Sequence, residues 1–161
     1  IRRARITAIN IAKQLKYKPA LSLRSNLAEV GLGEWEGELV ANVKEQYASS
    51  FDNYRNDLDK FEGKEFGGEG YTKAEARFVR FIKATANNFP ESNILIVSHG
   101  MELSFGINGL LKQPRMSIRE RGGLTNTSTT ILSTTDGENF VIEDWNNTSY
   151  LNKKQDDSTT I

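Results

Sequence analysis

Between residues 4 and 15, Ala4, Ala8, Ile11, Ala12 and Leu15 recur at i, i+4, i+7, i+8 and i+11. This is the stripe of an amphipathic helix, and Pro19 lies beyond its end. Leu21-Ser22-Leu23 alternates briefly before the polar Arg24-Ser25-Asn26, which predicts a short strand running out into a loop over 27–37. Glu38 to Tyr47 and Phe51 to Phe61 can each be helical, but both are polar, loosely periodic and separated by Ser49-Ser50. They predict a lid-like surface insertion over about 38–66. Gly63, Gly67, Gly68 and Gly70 then mark a flexible loop. Thr72-Lys73-Ala74-Glu75 has the spacing of a capping box. It opens the longest expected helix, with Ala74, Phe78, Phe81, Ile82, Thr85 and Phe89 on one face and Pro90 at the end.

Ile94-Leu95-Ile96-Val97 is a continuous apolar run bounded by polar residues. It predicts a strand buried on both faces, hence a parallel central strand covered by helices. Ser98-His99-Gly100 sits at its carboxyl end. Met101 to Leu111 resumes a helical period that Pro114 stops, and Thr129 to Ser133 and Phe140 to Glu143 predict strands joined across Asp136-Gly137. Helices alternating with strands imply a three-layer α/β/α sandwich, whose ligands bind outside the carboxyl ends of the parallel strands. No internal repeat or linker divides the chain, so residues 1–151 are expected to form a single domain with a polar tail over 152–161.

Composition narrows the function. A chain of 161 residues is the length of one ordinary domain. It contains no cysteine, which excludes disulfides, thiolate zinc sites and cysteine nucleophiles and predicts a cytoplasmic protein or one indifferent to redox compartment. Lysine plus arginine number 21 and aspartate plus glutamate 21, leaving no net basic charge for a nucleic-acid partner. The longest apolar run is the four residues Ile94 to Val97, far short of the roughly 20 that span a bilayer. No membrane partner is expected.

His99 is the only histidine. A strand end followed by a helix N-terminus is where backbone N–H groups favour an anion, so the imidazole there can meet a phosphate, with Gly100 letting backbone approach it. The plainer alternative is a histidine bonded to a loop carbonyl. Glu29 lies in an otherwise apolar loop, where partial burial suits a general acid; an exposed loop carboxylate is the alternative. Arg2, Arg3 and Arg5 crowd the first turn of the first helix, where positive charge opposes the dipole and an anionic ligand relieves it. Solvated surface arginines are equally common. Trp35 by default packs its loop on the domain. Ser98 and His99, as strand neighbours, point apart and make no nucleophile–base pair. Gly31-x-Gly33 with Gly37 lacks the spacing of a dinucleotide fingerprint. His99 and Glu102 at i and i+3 are too few ligands for a metal, and no metal or cofactor is expected.

The order of these features resembles the histidine phosphatase superfamily, the phosphoglycerate mutase-like group, over nearly the whole chain. Arg3-Ala4-Arg5-Ile6-Thr7-Ala8 is similar to its R-A-x-x-T-A segment, and Leu27 to Gly37 to its L-x-E-x-x-x-G-x-W-E-G loop. Gly67-Gly68-Glu69 resembles its G-E-S region and Ile94 to Gly100 its strand ending in S-H-G. Asn147 to Leu151 resembles a late N-D-T-S-H-L segment, with Tyr150 where histidine is common. The resemblance implies phosphoryl transfer through a phosphohistidine. Arg3 is then assigned to phosphate binding, Glu29 to general acid and base catalysis, and His99 with Gly100 to the phosphate pocket. The implied ligand is a small phosphorylated metabolite or inorganic phosphate.

The family's first strand, with its R-H-G motif and nucleophilic histidine, has no counterpart, because the chain opens downstream of it. The parent protein is accordingly expected to be a phosphatase of soluble phosphomonoesters, and this chain alone to turn over poorly. A phosphoglycerate-type mutase is the nearest alternative; the short loops favour a phosphatase. A non-catalytic phosphate-binding remnant is the other. A start inside a motif and without Met favours a chain lacking its N-terminal segment, and the sheet edges so exposed favour association between copies.

Overall fold

The computed structural model describes residues 2–151; the polar tail expected over 152–161 lies outside them. The alanine-rich stripe forms helix α1, Arg2–Gln14. Ala4, Ala8, Ile11 and Ala12 are half-buried and no residue of the helix is fully buried. Ala4 and Ile11 line an open cleft rather than a closed core. Leu21 and Leu23 form no strand and are exposed, and the chain passes through a 3-10 turn at Ser25–Leu27 into the loop that carries Glu29.

The segment over 38–66 is more deeply built in than its polarity suggested. It holds helices α2, Val40–Gln46, and α3, Ala48–Asn56. Tyr47, Phe51, Tyr54 and Leu58 recur at i, i+4, i+7 and i+11, a helical stripe hidden among polar neighbours. That stripe closes around Trp35 together with Phe61 and Phe66. Phe66 stacks on the indole with ring centroids 4.0 Å apart and is fully buried, while Tyr47, Phe51, Tyr54 and Phe61 surround it at 6.0–6.3 Å. Gly33, with φ of 52°, brings the loop onto this cluster; a Cβ there would stand 2.1 Å from the Phe66 carbonyl oxygen. No side chain fits.

Helix α4, Gly70–Asn88, is the longest described helix, at 19 residues. It starts two residues before Thr72, and the expected capping box does not form. The Thr72 hydroxyl bonds the Glu62 carboxylate instead, at 3.2 Å. Helix α5, Gly100–Leu110, crosses α4 closely, because Gly106 leaves room for the Phe78 ring where a Cβ would meet it at 2.1 Å. Phe78, Ile82 and Leu110 form a second apolar cluster. Past Pro114 a short helix, α6, Ser117–Arg121, leads to the hairpin of β1, Thr129–Ser133, and β2, Val141–Asn147. These strands pair antiparallel, Leu132 opposite Ile142 and Ser133 opposite Val141. Leu132 and Phe140 lean on the second cluster.

The α/β class holds, but the expected parallel central strand does not form among the described residues. Residues 94–97 belong to no ladder, and the sheet consists of β1 and β2. Ile94 and Leu95 are 45% and 59% exposed, not buried on both faces, while Ile96 packs on the second cluster. An apolar run supplies side chains for a strand, but a ladder also needs a second backbone alongside to take its N–H and C=O groups. No described segment runs there.

Replacing Phe66 by Ala should destabilise the fold by about 3–5 kcal/mol, the cost of a large aromatic cavity. Urea denaturation followed by tryptophan fluorescence would measure it; a change below about 1 kcal/mol would mean that the aromatic cluster is not the main core.

Candidate functional site

His99 is placed by two elements. Its extended backbone, φ −132° and ψ 161°, ends the 94–98 segment and caps α5, and its carbonyl accepts the Leu103 N–H at 2.9 Å. The ring is buried, at 5% exposure. Burial lowers its pKa; Glu29 raises it and Arg3 lowers it further, with a net downward shift. Arg3 Nε donates to His99 Nδ1 at 3.2 Å. The neutral ring therefore carries its proton on Nε2, which is buried and has no hydrogen-bond partner among the described residues. An orphaned buried donor beside an arginine is a ready partner for an anionic oxygen.

Glu29 joins the same group. Its side chain is 19% exposed; Oε2 lies 3.6 Å from Arg3 Nη2, and Oε1 accepts the backbone N–H groups of Val30 at 3.1 Å and Glu102 at 3.0 Å. The carboxylate is thus pinned through one oxygen while the other faces Arg3. Arg3, Glu29 and His99, from three distant segments, line one open cleft of about 2080 Å³. A small ligand would fill only a fraction of that space, so the mutual contacts of these three define the candidate site.

Gly100 opens α5 beside His99, but a Cβ there would meet nothing within 4 Å, so the space does not demand glycine. The Ser98 hydroxyl turns to the Leu27 carbonyl at 2.9 Å. It ties the segment to the Glu29 loop. Tyr150 lies apart from this group, its hydroxyl on the Thr127 carbonyl at 2.6 Å. Among the described residues no cluster of histidine and carboxylates could hold a metal, and no helix is long and apolar enough to cross a membrane.

Three charged residues behind the site had no assigned role in the sequence. Arg77 of α4 bonds Glu69 twice, Nε to Oε1 at 2.6 Å and Nη2 to Oε2 at 2.9 Å. Its Nη1 lies 2.7 Å from Oε1 of Glu102, a fully buried carboxyl in the first turn of α5. Burial pushes Glu102 up to about 8, although Arg77 draws it down. Burial also works against the charge on Arg77, but the bond to Glu69 and the charges of Glu102, Glu69 and Glu29 outweigh it and raise its pKa. A signal was present: Glu102 is the one charged residue between Gly100 and Leu111, and Arg77 interrupts the apolar face between Ala74 and Phe81.

Comparison with known proteins follows the same lines. The family model described as histidine phosphatase superfamily (branch 1) matches residues 1–148. No curated protein matches significantly. Among solved structures, Bacillus stearothermophilus YhfR is 22% identical with a TM-score of 0.78, over 89% of this chain and 69% of its own. Mycobacterial hydrolase 1 is 25% identical with a TM-score of 0.75, over 89% and 71%. A mycobacterial glucosyl-3-phosphoglycerate phosphatase, solved with VO3, is 23% identical with a TM-score of 0.75, over 89% and 72%.

Glu102 ionises near 4.5 in an unfolded chain and near 8 in the fold. Between those values the native state keeps a proton that the unfolded state has lost, so this group's contribution to stability falls as pH rises from about 4.5 to about 8, then levels. His99 acts oppositely: its lowered pKa makes stability fall as pH drops below the ordinary 6.5. The stability of wild type minus that of Glu102→Gln isolates the first effect. Measured by urea denaturation, that difference should decrease steadily between about pH 5 and pH 8. A flat difference would show that Glu102 does not ionise late.

Proposed function

The chain belongs to the histidine phosphatase superfamily, and on that footing we propose that its site serves the hydrolysis of small phosphomonoesters through a phosphohistidine intermediate. The observation that carries this reading is that Arg3 meets both His99, at 3.2 Å, and Glu29, at 3.6 Å. A transferring phosphoryl group spreads negative charge over its oxygens, and donors already in place stabilise it without reorganising. Arg3 and the Nε2–H of His99 are such donors. As an imidazole nitrogen bonds to phosphorus and the ester P–O bond breaks, the Glu29 carboxyl gives its proton to the departing oxygen. Water then attacks phosphorus, losing a proton to Glu29, the P–N bond breaks, and phosphate leaves with the imidazole restored.

Residues 1–161 hold one histidine, and this reading uses it to bind the phosphate. The nucleophilic imidazole then comes from a group these residues do not contain, and residues 1–161 alone bind phosphate with little turnover. The neighbouring phosphatase has also been solved with inorganic phosphate, which supports a phosphate or phosphorylated substrate as the ligand here. The cysteine-free composition suits the cytoplasm as its place of work.

Calorimetric titration with inorganic phosphate should show binding that Arg3→Ala or His99→Ala weakens about tenfold or more, the loss of a charge-assisted hydrogen bond. In any longer form of the protein that hydrolyses p-nitrophenyl phosphate, His99→Ala should lower kcat by about 10²–10³. Phosphate affinity indifferent to both substitutions would remove the site. Turnover that rises with an added bisphosphate would favour a mutase.

A further inference from the structure

Arg77 does not line the cleft, yet its contacts surround the residue that does. Its Nη1 donates to the Asn26 carbonyl at 2.7 Å, and Nη2 to those of Ala28 at 2.9 Å and Glu29 at 3.4 Å. The same guanidinium holds Glu69, whose Oε2 accepts the Gly31 N–H at 3.5 Å on the far side of Glu29. Its Nη1 also lies 2.7 Å from the Glu102 carboxyl, and the Glu102 backbone N–H is one of the two donors that pin Glu29 Oε1. One planar group thus fixes the Glu29 main chain from both flanks and, through the first turn of α5, its carboxylate.

We propose that Arg77 is a positioning residue for Glu29, setting the carboxylate against Arg3 and His99. The proposal rests on the reading of Glu29 and His99 as one site, but it concerns their geometry and not their chemistry. Arginine is required because five donors in a rigid fork serve two carboxylates and three carbonyls at once. A lysine at this position keeps the charge, but its single ammonium cannot span those acceptors.

The His99 titration reads the placement of Glu29 without needing turnover. Glu29 raises the His99 pKa and Arg3 lowers it, while Arg77→Lys keeps the charge at its own position. Imidazole titration by nitrogen NMR should therefore give a lower His99 pKa in Glu29→Gln, which removes the charge that raises it. Arg77→Lys should lower it in the same direction, and the double variant should show no further drop beyond Glu29→Gln. A folded Arg77→Lys protein with the wild-type His99 pKa, even one of reduced melting temperature, would overturn the proposal and leave Arg77 a structural residue. Should Arg77→Lys fail to fold, Glu69→Gln weakens the same anchor. There a smaller downward shift is expected, and an unchanged His99 pKa in the folded variant overturns the proposal equally. Failure of the phosphatase reading shows instead in phosphate binding and hydrolysis, and leaves these shifts intact.

Discussion

The joint of this molecule is one guanidinium with carboxylates on two sides. Arg77 is 20% exposed at its side chain, Glu69 21% and Glu102 not at all. Charges so placed are costly to desolvate, and breaking such a pair by removing one partner costs about 3–5 kcal/mol. Arg77 and Glu69 also hold backbone: Glu69 accepts the Gly31 N–H, and Arg77 donates to loop carbonyls. Glu69 comes from the glycine-rich loop before α4, Glu102 from the first turn of α5, and the carbonyls of Asn26 and Ala28 from the loop that carries Glu29. The guanidinium is where those three segments agree on their positions. Two acids share one base, so the fully buried one is the carboxyl driven up to about 8.

The site depends on two different kinds of order. On one side the aromatic cluster around Trp35 is largely buried, and it clamps the loop that follows Glu29 through the close approach of Gly33 to Phe66. On the other side the site opens onto a wide cleft bordered by α1, residues 94–98 and β1. Arg3 projects across that opening from a helix with no buried residue, and its side chain is 69% exposed. The group therefore combines a buried imidazole with a solvated cation. Under the proposed function the first supplies a donor already in place and the second charge.

Several elements were legible along the chain because their signals are local. The stripe of α1, the length of α4, the stop at Pro114 and the hairpin around Asp136-Gly137 each follow from periodicity or turn chemistry within a dozen residues. Two features depend on distant partners and were less legible. The 38–66 segment carries many polar residues, yet a few aromatics at helical spacing are enough to bury one face on Trp35. The 94–97 run is apolar, but a strand is a property of two backbones, and no described strand pairs with this one.

Sequence alone determined the candidate residues: one histidine at a segment end, a carboxylate in an apolar loop, arginines at a helix start, and the motif order that leads to the superfamily. Only the tertiary structure decided that Arg3, Glu29 and His99 line one cleft, because they are separated by up to 96 positions and meet through packing between elements, which no local pattern encodes. The same holds more strongly for Arg77 and Glu102. A charge on an apolar face is visible in the sequence, but which opposite charge answers it depends on how two helices cross, here on the absent Cβ of Gly106 that lets α5 settle against Phe78 of α4.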